Sequence, residues 1–185
     1  SLISLIKLFE MYNLNLFHAQ IVSRYGGSIR CIVSKNKIEK TDNLKLLLNK
    51  ENKYLIENCK NTYDKFIMDV KSSKKDLLNN IKNLKSKNFK IIAKSCPARA
   101  VVLLNYCGLN NDDLDYVAEQ PTSLKLDYFI PGTKLKIVND DELLKDNPDY
   151  ILLLAWHLSK PIINKWKKKG LKSKFIIPLP KVEIV

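Results

Sequence analysis

The sequence predicts an α/β protein in which residues 89–185 form an open, mostly parallel sheet flanked by helices. In this stretch, short apolar runs alternate with segments whose apolar residues recur at helical spacing, which is typical of βαβ units. The run YILLLAW (150–156) is continuously apolar, as expected for a central parallel strand that is buried on both faces. These observations predict a Rossmann-like class, preceded by a β-hairpin and a long helical segment.

Residues 89–108 predict a strand, a tight turn and a helix, in that order. The order places a helix N-terminus, which attracts anions, at the carboxyl edge of a strand. Pro97 is expected at the first helical position, where its missing N–H costs nothing. Glu119 ends the next predicted strand, where an acid can bind ribose hydroxyls. The turn lacks the glycines of nucleotide-binding turns, so an ordinary βαβ unit without a nucleotide is the alternative.

The remaining elements follow from apolar periodicity and from turn residues. Before the sheet, helices are predicted over 2–12, 41–49 and 53–84, and strands over 15–23 and 28–34. The two strands are joined by a turn over 24–27, whose glycines permit positive φ. Within the sheet, strands are predicted over 91–93, 114–119, 135–138, 150–156, 175–177 and 182–185, with helices over 141–145 and 158–169. Asp140 is the expected N-cap of the first of these helices. The predicted division is 1–88 and 89–185.

Composition narrows the function classes. The formal net charge is +13, but only three of the 32 basic residues are arginines and the lysines are dispersed, so nucleic-acid binding is not favoured. The four cysteines form no CxxC pair, which argues against a zinc site or any other metal site and favours reduced thiols in the cytoplasm. No apolar run approaches the length of a membrane span, and no signal-peptide pattern is present.

Five motifs occur in one order along the chain: YGGSIR (25–30), LLNYCGL (103–109), LKLDYFIPGTKLKIV (124–138), PDYILLLAW (148–156) and KFIIPLP (174–180). Together they resemble the C-terminal domain of S-adenosylmethionine-dependent sugar-nucleotide C-methyltransferases. The resemblance covers essentially the whole chain.

This resemblance implies a division of labour within a longer protein. An upstream methyltransferase domain is expected to bind S-adenosylmethionine, and the present domain to help hold a nucleotide-linked deoxy keto sugar. The glutamate–histidine acid/base pair of such enzymes falls before Ser1, so no catalytic residue is expected in this fragment, which should be inactive alone. The expected partners are therefore the nucleotide-sugar substrate and the upstream domain.

The resemblance also selects candidate substrate-binding residues, some of which depart from the family pattern. Both leading glycines of the family's Gly-Tyr-Gly-Ala turn are replaced, by Ala93 and Ser95, whereas its basic residue is kept as Arg99. Tyr25 stands where the family has histidine, and Trp156-His157 where it has Trp-Asn. The candidates are Tyr25, Gly26, Gly27, Ser28, Ser95, Arg99, Glu119, Trp156 and His157.

Several of these residues also have a structural explanation. Arg99 can be a surface residue, residues 25–28 a plain hairpin turn, and His157, like His18, a structural histidine. Cys96, at a helix N-terminus, can have a lowered pKa, although inert packing is favoured. Two other functions remain as alternatives: a degenerate, non-catalytic Rossmann-like interaction domain and, less favoured, a basic nucleic-acid-binding domain.

Overall fold

The computed structural model describes residues 1–23 and 27–185, and contacts divide the chain into two compact units, Ser1–Met68 and Asp69–Val185. The unit boundary falls inside a helix, because the second half of that helix packs on the sheet that follows it. The predicted turn over 24–27 lies outside the described residues except for Gly27.

The first unit contains helix α1 (Leu2–Met11), strands β1 (Asn15–Val22) and β2 (Ser28–Ser34), and helix α2 (Asp42–Asn52). The predicted hairpin is confirmed, since β1 and β2 pair antiparallel with Ala19 opposite Cys31. The start of α1 is tied to α2 because the Glu51 carboxylate accepts the N–H groups of Leu2 and Ile3 at 2.8 and 2.9 Å. The unit's small core is formed by Leu2, Leu16, Ala19 and Leu44.

His18 has a structural partner in this unit. Its Nδ1 lies 3.0 Å from the hydroxyl of Thr41, the residue that caps α2 by accepting the Leu44 N–H. This pairing agrees with the structural interpretation of His18 from the sequence.

The long helix predicted over 53–84 is interrupted near its start. Lys53–Glu57 form a π-helical turn, and helix α3 (Cys59–Ser86) begins beyond Asn58. The Asn58 side chain donates to the Lys53 carbonyl at 3.0 Å, which stabilises the wider turn. From Cys59 the helix is continuous through Ser72 and Ser73.

The predicted apolar stripe of this helix is buried only in its second half. Leu77, Ile81 and Leu84 are buried in the core of the second unit, whereas Tyr63 and Phe66 are 55% and 62% exposed.

The second unit contains the predicted open sheet. Its elements are β3 (Ile91–Lys94), α4 (Ala98–Cys107), β4 (Val117–Glu119), β5 (Ile137–Asn139), α5 (Glu142–Asp146), β6 (Tyr150–Leu153), α6 (Ser159–Lys168), β7 (Lys174–Ile177) and β8 (Glu183–Ile184). The strand order is β5-β4-β3-β6-β7-β8, with every neighbouring pair parallel except β7 and β8. In chain order within the sheet this is 3-2-1-4-5-6, the Rossmann order. The predicted fold class is confirmed.

Both faces of this sheet are covered, as a parallel sheet requires. All four residues of β3 are buried, and so are three of the four in β6. One core contains α4 residues Ala100 and Leu104, and the other contains Trp166 of α6.

Three local predictions need correction. Pro97 precedes the first helical residue of α4 rather than occupying it. The strand predicted over 150–156 ends at Leu153, and Trp156–Leu158 form a 3₁₀ turn. Asp140 does not cap α5, because its side chain pairs with a buried lysine described below.

Candidate functional site

The crevice of the sheet lies at the carboxyl ends of β3 and β6. The chain places β4 and β5 on one side of β3 and then crosses to β6 on the other side, so the strand order reverses there. Ligands of open α/β sheets bind outside the carboxyl ends of the strands at such a reversal point. Five sequence-predicted residues lie at or just beyond the carboxyl ends of the strands at this edge: Ser95, Arg99, Glu119, Trp156 and His157.

Ser95 holds the turn after β3 in an unusual conformation. Its φ is +72°, and its N–H donates to the Ala118 carbonyl at 2.9 Å. A left-handed backbone costs a residue with a Cβ about 1–2 kcal/mol. The turn therefore keeps a glycine-like backbone although the residue is serine, and the serine Cβ occupies space that a glycine leaves open.

Glu119 directs its carboxylate at this turn. Its Oε2 accepts the Cys96 N–H at 2.7 Å, and its Oε1 accepts the Gln120 N–H at 2.8 Å. The carboxylate therefore takes a position at the N-terminus of α4 that suits an anionic ligand. In this arrangement Glu119 anchors the turn, and its predicted contact with a ribose hydroxyl stays a prediction.

Replacing Glu119 by glutamine is expected to strengthen the binding of inorganic pyrophosphate about fivefold. Glutamine keeps an oxygen that can accept the Cys96 N–H but removes a negative charge, whose repulsion of an anion about 4 Å away is worth about 1 kcal/mol in water-like surroundings. Isothermal titration calorimetry at low salt measures the affinity. Asp112→Asn, which removes an exposed charge elsewhere, is the matched control. Equal affinity in wild type and Glu119→Gln would place the pyrophosphate away from this turn.

Arg99, Trp156 and His157 lie near one another at the same edge of the sheet. The Arg99 guanidinium carbon lies 5.7 Å from the centroid of the Trp156 ring, which is within the range of a cation–π contact. Burial lowers the pKa of His157, and the charge of Arg99 lowers that pKa further. The imidazole is therefore neutral at neutral pH, and Arg99 is the cation of this group.

A buried ion pair lies behind the turn, and no motif or spacing in the sequence predicts it. Lys94, at the end of β3, has its Nζ 3.0 Å from Oδ2 of Asp140, and the two side chains are 6% and 4% exposed. The two atoms are at ion-pair distance, but the contact does not have hydrogen-bond alignment. Asp140 also donates its backbone N–H to the Glu119 carbonyl at 2.8 Å. The pair thus connects the carboxyl ends of the first three strands of the sheet.

Lys125 is a second residue that the sequence does not single out. It follows β4 in the chain, and its Nζ donates to the Cys96 carbonyl in the turn. Burial raises the pKa of the Cys96 thiol, although the charge of Lys125 acts in the opposite direction. Cys96 is therefore a protonated packing residue, and Lys125 brings a positive charge to the turn.

Comparison with known proteins agrees with this architecture. The family model of the C-methyltransferase C-terminal domain matches residues 23–180. The chain belongs to this family. One relative, the C-methyltransferase NovU of Streptomyces niveus, is 31% identical over 91 residues, which are 48% of this chain and 21% of that protein. The chain thus spans about a fifth of the length of the curated relative that it matches.

As a C-methyltransferase C-terminal domain, the chain has candidate substrate-binding residues in both units. Gly27 and Ser28 lie in the first unit, where Gly27 has a φ of +124° and Ser28 begins β2. Tyr25 and Gly26 lie outside the described residues.

No helix among the described residues has the length and apolar content needed to cross a membrane.

The turn after β3 does not fit S-adenosylmethionine well. A Rossmann turn that binds a nucleoside needs glycines for close backbone approach and an acid turned toward the ribose. This C-methyltransferase domain has Ala93 within β3 and Ser95 in the turn where the family has glycines, and its Glu119 carboxylate accepts backbone N–H groups instead.

Proposed function

We propose that this domain holds the substrate of a C-methyltransferase that acts on a nucleotide-linked deoxy keto sugar, while an upstream domain binds S-adenosylmethionine. The observation that carries the proposal is the carboxyl edge of the sheet at the strand reversal, where the Arg99 guanidinium lies 5.7 Å from the Trp156 ring centroid beside a neutral His157. Family membership supports the methyl transfer to carbon, and the substrate class comes from the motif resemblance.

The charge of the domain suits such a substrate. The chain has 32 basic and 19 acidic residues, and a positive surface concentrates anions such as a nucleoside diphosphate. Within residues 1–23 and 27–185, no carboxylate forms an ion pair with Arg99 at the crevice. The guanidinium is therefore available for a charge-assisted contact with a phosphate.

The chemistry explains why a separate substrate domain is useful. A ketone acidifies the neighbouring C–H, a base removes that proton, and donors stabilise the enolate. The carbanion then attacks the sulfonium methyl in line, so positioning of the sugar contributes much of the rate. We assign the base to the upstream part of the enzyme and the positioning to this domain. Its four free cysteines suit a cytoplasmic enzyme.

The Arg99→Ala substitution is expected to weaken the binding of thymidine diphosphate at least about tenfold, because a charge-assisted contact is worth about 1.5–3 kcal/mol. Calorimetry on the full-length protein measures the effect. Arg99→Lys keeps the charge but loses the planar, bidentate guanidinium, so its affinity should be intermediate. Lys71→Ala, on the exposed face of α3, is the control for lost charge.

Two outcomes would contradict this function. Equal affinity of the wild type and Arg99→Ala would remove Arg99 from the site. Failure of the wild-type full-length protein to bind any nucleoside diphosphate would favour the alternative of a non-catalytic interaction domain.

A further inference from the structure

A pocket of about 270 Å³ lies at the amino ends of the strands, where β3, β6 and β7 begin. Phe89 comes from the segment before β3, residues 147–150 from the connection into β6, and residues 172–174 from the connection into β7. The crevice described above lies at the carboxyl ends of the strands. The pocket is therefore at the opposite edge of the sheet and is separate from the proposed substrate site.

The chain beside this pocket has an uneven distribution of charge. Residues 150–182 contain eight lysines and no aspartate or glutamate, although the whole sequence has 19 acidic residues. The eight lysines are all exposed: Lys160, Lys165, Lys167, Lys168, Lys169, Lys172, Lys174 and Lys181. In the part of the chain that the structure describes, no carboxylate forms an ion pair with any of them. This segment therefore carries positive charge that the protein does not neutralise.

Two of these lysines line the pocket from one side of a strand. Lys172 and Lys174 are exposed, whereas Ser173 between them is buried and donates its hydroxyl to the Pro148 carbonyl. This alternation is that of an extended segment, so the two lysine side chains point to the same side and start about 6.6 Å apart. Like charges at this distance repel each other, and an anion bound between them removes the repulsion.

The helix dipole explains some of the lysines but not these two. Lysines 165, 167 and 168 lie in the last turn of α6, where the dipole favours cations. Lys172 and Lys174 lie beyond that helix, in the connection to β7 and at its first residue. Their position beside a concave surface therefore calls for a different explanation, and a bound anion supplies one.

The pocket is held by ordered contacts. The Lys174 N–H donates to the Asp149 carbonyl at 2.9 Å, and the Tyr150 N–H donates to the Lys90 carbonyl at 3.0 Å. The rings of Phe89 and Tyr150 pack edge to face, with their centroids 5.2 Å apart. A ligand would therefore bind without first having to order these segments.

The polar lining groups favour an oxyanion. Asn147 is exposed and carries an amide that can donate two hydrogen bonds. Asp149 brings one negative charge, and its Oδ2 accepts the Lys90 N–H at 2.7 Å. The two lysines outweigh this carboxylate, so the lining keeps an excess of positive charge.

We infer that this pocket binds an oligophosphate, a small anion with two or more linked phosphates. Lys172 and Lys174 hold the phosphates from one side, and the Asn147 amide donates to a phosphate oxygen. The volume lies just below the range of drug-sized ligands, which suits so small an anion. Because the site is at the opposite edge of the sheet from the crevice, the oligophosphate and the proposed substrate bind independently.

The test is calorimetric titration of the full-length protein with inorganic tripolyphosphate. All variants are made in the Arg99→Ala background, which removes the cation of the crevice, so the result does not depend on the proposed function. Lys172→Met/Lys174→Met should weaken binding at least about tenfold, because each ammonium contributes about fivefold at contact distance in water. Lys71→Met/Lys75→Met, two exposed lysines on α3, removes the same charge elsewhere and should change the affinity less than about twofold.

A substitution of the opposite sign makes the test sharper. Asp149→Asn keeps an oxygen that can accept the Lys90 N–H but removes the negative charge from the lining, so it should strengthen tripolyphosphate binding about fivefold. Asp112→Asn, at an exposed site away from the pocket, is the control for this change.

Four results would overturn the inference. The first is no detectable binding of tripolyphosphate, and the second is an equal loss of affinity in the two double-lysine variants, which would reflect net charge alone. The third is an unchanged affinity in Asp149→Asn, which would place the anion away from this pocket. The fourth is tighter binding of a short single-stranded RNA than of tripolyphosphate at physiological salt, which would assign the lysines to a nucleic-acid backbone.

Discussion

Replacing Lys94 by methionine is expected to lower the free energy of unfolding of the second unit by about 3–5 kcal/mol. The substitution leaves the buried Asp140 carboxylate without its cation. Methionine fills similar space to the lysine stem, so lost packing contributes little. Urea unfolding followed by tryptophan fluorescence measures this unit specifically, because both tryptophans of the chain, Trp156 and Trp166, lie in it.

The matched double variant distinguishes the buried charge from lost contacts. Lys94→Met/Asp140→Leu removes both charges, and such replacements are often neutral or stabilising. Its stability should therefore return to within about 1 kcal/mol of the wild type. Lys145→Met, which breaks the exposed pair with Glu142, should cost less than about 1 kcal/mol. A double variant as unstable as Lys94→Met would show that the lysine stabilises the sheet through something other than this pair.

The ion pair also bears on the site. Lys94 ends β3, Glu119 ends β4, and Asp140 follows β5, so three neighbouring strands end in one connected set of contacts. Glu119 is held by its backbone carbonyl to Asp140 and by its carboxylate to Cys96. The conformation of the turn beside Arg99 thus depends on charges that are buried behind it.

The fold can be predicted because its signals are local. The continuous apolar run of β6 and the alternation of strands with helices depend only on neighbouring residues, and they identify a parallel sheet. The ends of the elements are less predictable. The apolar run extends over 150–156, whereas the last strand residue is Leu153. Nothing in the local sequence marks where pairing with β3 stops, so this end could not be predicted.

The site can be predicted only in part, because its contacts join residues that are distant in the chain. The family motifs select both Arg99 and Trp156, but their cation–π contact depends on the crossover from β3 to β6. In the sequence, Lys94 is one lysine among many, and Asp140 resembles a helix cap. The periodicity of the sequence does not show which residues meet at the ends of separate parallel strands. The Lys94–Asp140 ion pair and the contact of Lys125 with the Cys96 carbonyl are therefore evident only in the folded chain.

Gly132→Ala is expected to destabilise the second unit by about 2–4 kcal/mol, from two separate causes. Gly132 has a φ of +80°, which costs a residue with a Cβ about 1–2 kcal/mol. A Cβ at this position would also lie 2.1 Å from Oδ1 of Asn105. Asn105 donates to the carbonyls of Val101 and Pro131 at 2.8 and 3.0 Å, and moving it would break hydrogen bonds worth about 1 kcal/mol each.

A second glycine separates these causes. Gly170 has a φ of +89°, and nothing lies within 4 Å of an added Cβ, so Gly170→Ala reports the backbone cost alone. Gly132→Ala should exceed it by about 1–2 kcal/mol. In the Asn105→Ala background this excess should disappear, because the obstructing amide is gone. Urea unfolding of Gly132→Ala, Gly170→Ala, Asn105→Ala and the double variant Gly132→Ala/Asn105→Ala gives these differences. Equal costs for the two glycine substitutions would show that the Asn105 side chain moves freely and does not hold Pro131 against α4.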